Sequence, residues 1–170
     1  MKTFSIIPVI LFYSYLGLAQ KSIEKTLERF NSGSVPYITV QALKTETTAI
    51  LLDTRKKEEY DVSHLEKAHW VGFKSFNLTK IKEQIPDTLT PLIVYCSIGV
   101  RSEQIGEKLK AAGYPNVKNL YGGIFQWKIE GEKVVDSLNQ STERVHAFSK
   151  HWGKLLTNAE KVYSSKTDFD

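Results

Sequence analysis

Cys96 is the only cysteine of the 170-residue chain, and its surroundings make it a candidate nucleophile. It follows the apolar residues 92–95 and begins a short loop that contains Gly99 and Arg101. Backbone N–H groups of a tight loop that enters a helix converge on one point and bind anions there. We predict that these amides and the Arg101 cation lower the pKa of the Cys96 thiol below the free value of about 8.5. The thiolate so formed is the reactive species.

The loop also supplies the candidate substrate-binding groups. Gly99 permits the backbone turn that points the amides inward, because glycine adopts positive φ angles without a steric penalty. We therefore predict Cys96 as the catalytic residue. The predicted substrate-binding residues are the five that follow it: Ser97, Ile98, Gly99, Val100 and Arg101.

The position of the loop follows from the elements on either side of it. Five short segments predict strands, and they are residues 37–40, 49–52, 68–71, 92–95 and 117–121. A helix is predicted over residues 102–112, where Ile105, Leu109 and Ala112 share one face, and Gly113 ends it. Short apolar strands separated by helices indicate an α/β fold with a parallel sheet of about five strands, covered by helices on both faces. Ligands bind such sheets at the carboxyl ends of strands, where Cys96 lies.

The N-terminal residues predict a targeting segment and a lead-in helix. Residues 1–19 combine Lys2, an uncharged and mostly apolar stretch, and small residues before Ala19, as in a signal peptide. We expect cleavage near Ala19, export to the periplasm or the extracellular space, and no membrane span in the mature chain. Residues 20–34 form the lead-in segment, in which Ile23, Leu27 and Phe30 recur at helical spacing.

Residues 133–170 are predicted to be a C-terminal helical extension. The polar residues 136–141 indicate a linker or loop. After it, Val145, Phe148, Trp152 and Leu155 recur at intervals of three and four, which predicts a helix with one apolar stripe that packs on the domain. Residues 164–170 have little apolar surface to bury.

Several motifs beyond the loop lead to one family. The spacing Cys-x-x-Gly-x-Arg at Cys96, Gly99 and Arg101 resembles the active loop of single-domain rhodaneses. Residues 38–43 resemble that family's opening strand and helix start, and residues 52–55 with 59–60 resemble its Asp-x-Arg and Glu-Tyr signature. Residues 120–127 resemble its Gly-Gly-x-x-x-Trp segment. Residues 63–68 match the Gly-His-Ile-x-Gly-Ala segment in part, with Ser63 and Lys67 in place of the glycines. The resemblance implies a rhodanese domain over residues 35–132.

The resemblance also implies a mechanism and three supporting residues. The Cys96 thiolate would take the outer sulfur of thiosulfate or a persulfide donor and pass it from a Cys96 persulfide to a thiol or other nucleophilic acceptor, which makes the protein a sulfurtransferase. Asp53 and Arg55 would brace the site through an ion pair, and His64 would have a structural role. The partners implied are a small anionic donor such as thiosulfate and a thiol or protein acceptor.

Two other functions use the same fold. One is a non-catalytic module for redox sensing or protein interaction, since fold alone does not establish activity. The other is a phosphatase like the cell-cycle dual-specificity enzymes, whose cysteine and arginine are separated by five residues. Here only four residues separate Cys96 from Arg101, and the contracted loop favours a sulfur centre over a phosphoryl group.

The composition narrows the partners further. The chain is 41% hydrophobic and 25% charged, as in a globular protein of one domain. Its net charge is +4, but no basic run is longer than residues 55–57, so we predict no nucleic-acid partner. His146 and His151 have only an isolated spacing, and we predict no metal and no cofactor.

Overall fold

The computed structural model describes residues 22–164, so the predicted signal peptide at residues 1–19 lies outside the described part of the chain. Helix α1 covers residues 22–30 and buries Ile23 and Leu27, whereas Phe30 is exposed. The lead-in helix predicted from the sequence is therefore present. Within residues 22–164, no helix is both long enough and apolar enough to span a membrane.

The central elements alternate between strands and helices. In chain order they are β1 (Tyr37–Ile38), α2 (Val40–Thr45), β2 (Ile50–Asp53), α3 (Lys57–Val62), β3 (His69–Trp70), α4 (Leu78–Gln84), β4 (Leu92–Tyr95), α5 (Val100–Ala111), β5 (Val117–Leu120) and α6 (Gly123–Ile129). Smaller elements follow, namely β6 (Val134–Val135), β7 (Ser141–Thr142), β8 (Arg144–His146), a 3₁₀ turn (Trp152–Leu155) and β9 (Glu160–Val162).

The five strands β1 to β5 form one sheet in the order β1-β5-β4-β2-β3. Every neighbouring pair in this sheet is parallel, with Leu52 opposite Val94 and Val94 opposite Asn119. Strand β4 lies in the middle, and all four of its residues are buried. The predicted fold class, a parallel five-stranded α/β sheet, is confirmed.

The core lies on both faces of the sheet because side chains of β4 alternate between them. Ile93 and Tyr95 join a cluster with apolar residues of α1, α2 and α6. Leu92 and Val94 join a second cluster with residues of α4 and α5. Because helices cover both faces of the sheet, β4 is apolar at every position and the loop after it is held from both sides.

The first predicted strand is too long at its carboxyl end. Strand β1 ends at Ile38, and Val40 is the first residue of α2. The Thr39 side chain accepts a hydrogen bond from Ala42 N at 3.2 Å and caps the helix. A threonine at this position satisfies one of the N–H groups that a helix start leaves unpaired, so the chain turns there although Val40 is a good strand former.

The predicted helix over residues 145–155 is wrong. Val145 lies in β8, which pairs with β9 in parallel, and Phe148 has a left-handed φ of 62°, which a continuous helix excludes. Only Trp152–Leu155 form a single 3₁₀ turn. The three-and-four spacing arose because Val145, on a strand, and residues of the turn face the same core.

The linker predicted at residues 136–141 is the turn of a hairpin. Strands β6 and β7 pair antiparallel, and His64 forms an isolated antiparallel bridge with Val135 of β6. The Asp136 carboxylate accepts hydrogen bonds from Leu138 N and Gln140 N, which closes the turn. The extension is thereby attached to the segment that follows α3.

Candidate active site

The predicted loop lies at the carboxyl end of β4 and leads into α5. Cys96 is buried, with only 1% of its surface exposed, although it follows the central strand directly. The first-turn N–H groups of α5 have no intrahelical acceptor, so they are free to face an anion in the loop. The structure therefore brings Cys96 and the start of a 12-residue helix together as the sequence predicted.

The orientation of the loop peptides is fixed from behind by α6. Ile124 N donates to the Cys96 carbonyl and Phe125 N donates to the Ser97 carbonyl, both at 3.0 Å. A trans peptide points its C=O and N–H in opposite directions, so the N–H groups of Ser97 and Ile98 point away from α6. Gly123 makes this contact possible, because a Cβ there would overlap the Cys96 carbonyl oxygen.

Gly99 makes the turn that closes the loop. Its φ of 106° is in a region that side-chain-bearing residues rarely adopt, and its N–H donates to Cys96 Sγ at 3.2 Å. Its carbonyl is held on the other side by Asn119 Nδ2 at 2.8 Å and Asn31 Nδ2 at 3.0 Å. Thus the amide that faces the sulfur belongs to a residue whose own carbonyl is anchored to β5 and to the lead-in segment.

The environment of Cys96 favours the thiolate. Burial alone would raise the pKa of the thiol, but the positive charge of Arg101 and hydrogen bonds from Ser102 and Gly99 outweigh it, so the pKa lies below its ordinary value. The direction agrees with the expectation from the loop sequence. Such a sulfur is a nucleophile at the bottom of an amide-lined loop.

Arg101 is held by a residue that the sequence analysis did not include in the site. Its Nη1 donates to Glu59 Oε2 at 2.7 Å and its Nη2 donates to Glu59 Oε1 at 2.9 Å. Arg101 Nη2 also donates to Ser97 Oγ at 3.0 Å. Burial alone would raise the pKa of Glu59, but the hydrogen bonds and charge of Arg101 lower it to about 2. The Glu-Tyr signature at residues 59–60 was the available signal for Glu59.

Asp53 and Arg55 form the expected ion pair at the end of the neighbouring strand. Arg55 Nη2 contacts Asp53 Oδ2 at 2.6 Å, and both side chains are fully buried. Arg55 Nη2 also donates to the Ser63 carbonyl at 2.7 Å, and the Arg55 guanidinium lies 5.8 Å from the Tyr95 ring centre. The pair thus lies beside Tyr95, the residue before Cys96. The influence of the pair on the reaction stays a prediction.

His64 is placed for a structural role. Its ring stacks on that of Tyr60 with centres 3.8 Å apart, and Nδ1 lies 3.1 Å from the Tyr60 carbonyl. Its backbone pairs with Val135. These contacts join α3 to the β6–β7 hairpin, and none of them involves the loop that contains Cys96.

Three aromatic residues from outside the loop form the walls of the entrance to Cys96. Cys96, Ser97, Ile98, Val100 and Arg101 line a cavity of about 180 Å³ together with Phe30, Phe148 and Trp152. Phe148 and Trp152 come from the C-terminal extension. The helical spacing of Phe148 and Trp152 did not predict this arrangement. The segment that contains them is not a helix, and it folds back over the loop that contains Cys96.

Together, the fold and the loop define a class of protein with a reactive cysteine at the carboxyl end of a parallel β-strand, beneath helix N-terminal amides. The model of the Rhodanese-like domain matches residues 38–130, more than half of the chain. The chain therefore belongs to the rhodanese-like family.

Relatives and solved structures agree with this assignment. The chain is 32% identical over 83 residues to the adenylyltransferase and sulfurtransferase UBA4 of Candida albicans, covering 46% of this chain and 19% of that protein. It is 30% identical over 158 residues to a tRNA uridine(34) hydroxylase of Streptococcus thermophilus, covering 86% of this chain and 47% of the hydroxylase. The chain thus spans less than half the length of both curated relatives.

Two solved structures show the same fold. A thiosulfate sulfurtransferase from Pseudomonas aeruginosa superposes with a TM-score of 0.56 at 24% identity, covering 81% of this chain and 26% of that one. A rhodanese-related protein from Thermoplasma volcanium gives a TM-score of 0.51 at 25% identity, covering 59% of this chain and 97% of that one. The family includes sulfurtransferases, and these two structures share the fold of this chain.

Proposed function

We propose that this protein is a sulfurtransferase that carries a sulfane sulfur as a persulfide on Cys96. The observation that carries the proposal is the buried Cys96 sulfur, which accepts a hydrogen bond from Gly99 N at 3.2 Å in a loop that lowers its pKa. A thiolate and a persulfide anion are both stabilised by such amides. The same loop therefore suits the free and the loaded state.

The proposed reaction has two half-reactions. The Cys96 thiolate attacks the outer sulfur of thiosulfate, a new S–S bond forms, and the old S–S bond breaks with its electron pair leaving on sulfite. An acceptor thiolate then attacks the outer sulfur of the Cys96 persulfide and regenerates the Cys96 thiolate. The four-residue spacing to Arg101 and the apolar entrance give no support to phosphoryl transfer.

Single-turnover loading tests the proposal. The purified protein and a Cys96→Ser control are incubated with thiosulfate, and the intact mass and released sulfite are measured. We expect the mass to rise by one sulfur atom in the wild type alone, and cyanide or a thiol to remove it. If reduced Cys96 accepts no sulfur from thiosulfate or from other sulfane donors, the catalytic proposal is wrong and a sensing or interaction module is favoured.

We also propose that the protein acts outside the cytosol. The support is the sequence of residues 1–19, with its charged start, apolar stretch and small residues before Ala19. The mass of the protein recovered after expression in a host with a general secretion system tests this. A chain that begins at Gln20 supports export with cleavage, and a chain that retains residues 1–19 in the cytosolic fraction contradicts it.

A further inference from the structure

Three of the residues that line the entrance above Cys96 lie outside the stretch that matches the family model. Phe30 precedes residues 38–130, and Phe148 and Trp152 follow them. Phe30 and Trp152 make an edge-to-face contact with ring centres 6.4 Å apart. These walls therefore belong to the lead-in helix and the extension of this chain, and they are the features that could give it its own substrate preference.

Phe148 is held at the entrance against its backbone preference. Its φ of 62° is unusual for a bulky residue, and its N–H donates to His146 Nδ1 at 3.1 Å. Its ring lies 4.9 Å from the Arg101 guanidinium carbon, and 38% of its surface remains exposed. Backbone strain of this kind persists only where surrounding contacts maintain it, and it concentrates at functional sites.

The charge of the site suits a donor with a single negative charge. Arg101 is the one cation among the residues that line the cavity, and its guanidinium is paired with the Glu59 carboxylate. The attacking group is itself an anion, and a dianion is repelled by it twice as strongly as a monoanion at the same distance. The Arg101–Glu59 pair carries no net charge, so the residues that line the cavity supply no unpaired cation to offset this repulsion, which favours a monoanion over a dianion such as thiosulfate.

The size and lining of the cavity leave room for an apolar group. An apolar cavity of about 150 Å³ accommodates benzene, and this entrance measures about 180 Å³. Ile98 and Val100 on the floor and the three aromatic rings on the walls provide apolar contacts. A small inorganic anion would leave most of these surfaces unused.

We propose that the preferred sulfur donor is a monoanionic sulfane compound with an apolar alkyl or aryl group, which packs between Phe30, Phe148 and Trp152 while its outer sulfur reaches Cys96. This inference rests on the proposed sulfurtransferase function. In the reaction with an aryl thiosulfonate, the Cys96 thiolate takes the outer sulfur, and the S–S bond of the donor breaks with its electron pair leaving on the aryl sulfinate. One negative charge is thus carried into the site by the donor and one is carried away.

Three donors separate the contribution of the apolar group from that of charge. Methanethiosulfonate and benzenethiosulfonate are both monoanions and differ in the apolar group, and thiosulfate is a dianion. Single-turnover rate constants for loading of Cys96 are measured for each, and each is divided by the rate constant of the same donor with free N-acetylcysteine. We expect the corrected value for benzenethiosulfonate to exceed that for methanethiosulfonate by about tenfold or more, as for apolar groups in a matched pocket, and thiosulfate to be the slowest.

Variants locate the preference at the walls. Phe30→Ala and Phe148→Ala should each reduce the phenyl-to-methyl ratio by about threefold or more, since each removes one wall contact. Leu138→Ala is the matched control, because Leu138 is an exposed apolar residue in the β6–β7 turn, away from the cavity. Circular dichroism spectra and melting curves of all variants establish that they are folded.

The outcomes are distinguishable. If phenyl and methyl donors react equally fast after correction, or if the wall variants leave the ratio unchanged, the inference is wrong while sulfur transfer by Cys96 stands. If none of the three donors places sulfur on reduced Cys96, the proposed function itself is wrong, and the inference falls with it.

Discussion

Arg101 and Glu59 meet through two hydrogen bonds, from Nη1 to Oε2 at 2.7 Å and from Nη2 to Oε1 at 2.9 Å. The pair joins the first turn of α5 to the first turn of α3, and Glu59 Oε2 also accepts from Lys56 N at 3.0 Å. The guanidinium beside the loop that contains Cys96 is therefore fixed by a carboxylate 42 residues earlier in the chain. Its orientation does not depend on a bound substrate.

Glu59→Gln should destabilise the protein in a pH-dependent way. The pKa of Glu59 falls from 4.5 to about 2 on folding, so its stabilising contribution is present above pH 4.5 and is lost as the pH falls toward 2. At pH 7 we expect the variant to lose about 2–3 kcal/mol of unfolding free energy, because Arg101 keeps a charge with no carboxylate partner.

Urea unfolding of wild type and variant between pH 3 and 7 measures this effect. The difference in unfolding free energy should be largest near pH 7 and should shrink below pH 4.5. Glu58→Gln, an exposed neighbour in the same helix turn, is the control and should cost less than about 0.5 kcal/mol. A difference that is constant over the whole pH range would contradict the depressed pKa.

Arg101→Gln should raise the pKa of Cys96. Burial opposes the thiolate, and the charge of Arg101 is the first of the effects that overcome it. The substitution removes that charge and leaves Glu59 as an unpaired anion nearby, and both changes favour the protonated thiol. Alkylation by iodoacetamide as a function of pH, or thiolate absorbance near 240 nm, should show the midpoint displaced to higher pH. Lys108→Gln in the last turn of α5 is the control, and overlapping profiles for Arg101→Gln and wild type would contradict the electrostatic argument.

Gly123→Ala should damage the loop more than Gly131→Ala. Both glycines have positive φ angles, 53° and 84°, so alanine is strained at each by about 1 kcal/mol. At Gly131 a Cβ meets open space, whereas at Gly123 it overlaps the Cys96 carbonyl oxygen. We expect a further loss of about 1–3 kcal/mol and slower sulfur loading of Cys96 for Gly123→Ala alone. Equal melting temperatures and equal loading rates for the two variants would show that the α6 contact does not shape the loop.

Lys67→Gly should stabilise the protein. Lys67 has a φ of 63°, and it occupies a position where the rhodanese pattern has glycine. Relief of the left-handed strain outweighs the added entropy of the unfolded chain. We therefore expect the free energy of unfolding to rise by about 0.5–1 kcal/mol. Glu66→Gly, at the preceding exposed residue without a positive φ, should instead lose about 0.5–1 kcal/mol. Chemical denaturation of both variants tests the opposite signs.

Local patterns predicted the sheet and the loop well. Strand β4 has the predicted bounds, and Cys96, Gly99 and Arg101 meet as expected, because an apolar run followed by a loop and a helix is a short-range feature. Contacts between distant segments could not be read in this way. The pairing of Glu59 with Arg101 depends on how α3 and α5 pack, and periodicity within either helix carries no information about it.

The C-terminal extension shows a second limit. A spacing of three and four from Val145 to Leu155 is typical of a helix, but pairing of β8 with β9 supplies backbone hydrogen bonds that the helix would otherwise provide. The left-handed Phe148 then redirects the chain. The position of the aromatic rings at the entrance depends on that bend. The bend depends on the φ angle of one residue, which a pattern of residue types does not predict.

The burial of Cys96 has a consequence for what a partner molecule meets. With 1% of its surface exposed, the cysteine presents almost none of its surface to the cavity that it helps to line. A sulfur bound to it stands about 2 Å further out, the length of an S–S bond. If Cys96 carries sulfur as we propose, loading lengthens the side chain toward the cavity and unloading shortens it again. An acceptor that arrives before loading meets only a buried thiolate. The transferable sulfur atom itself therefore distinguishes the loaded state from the unloaded one.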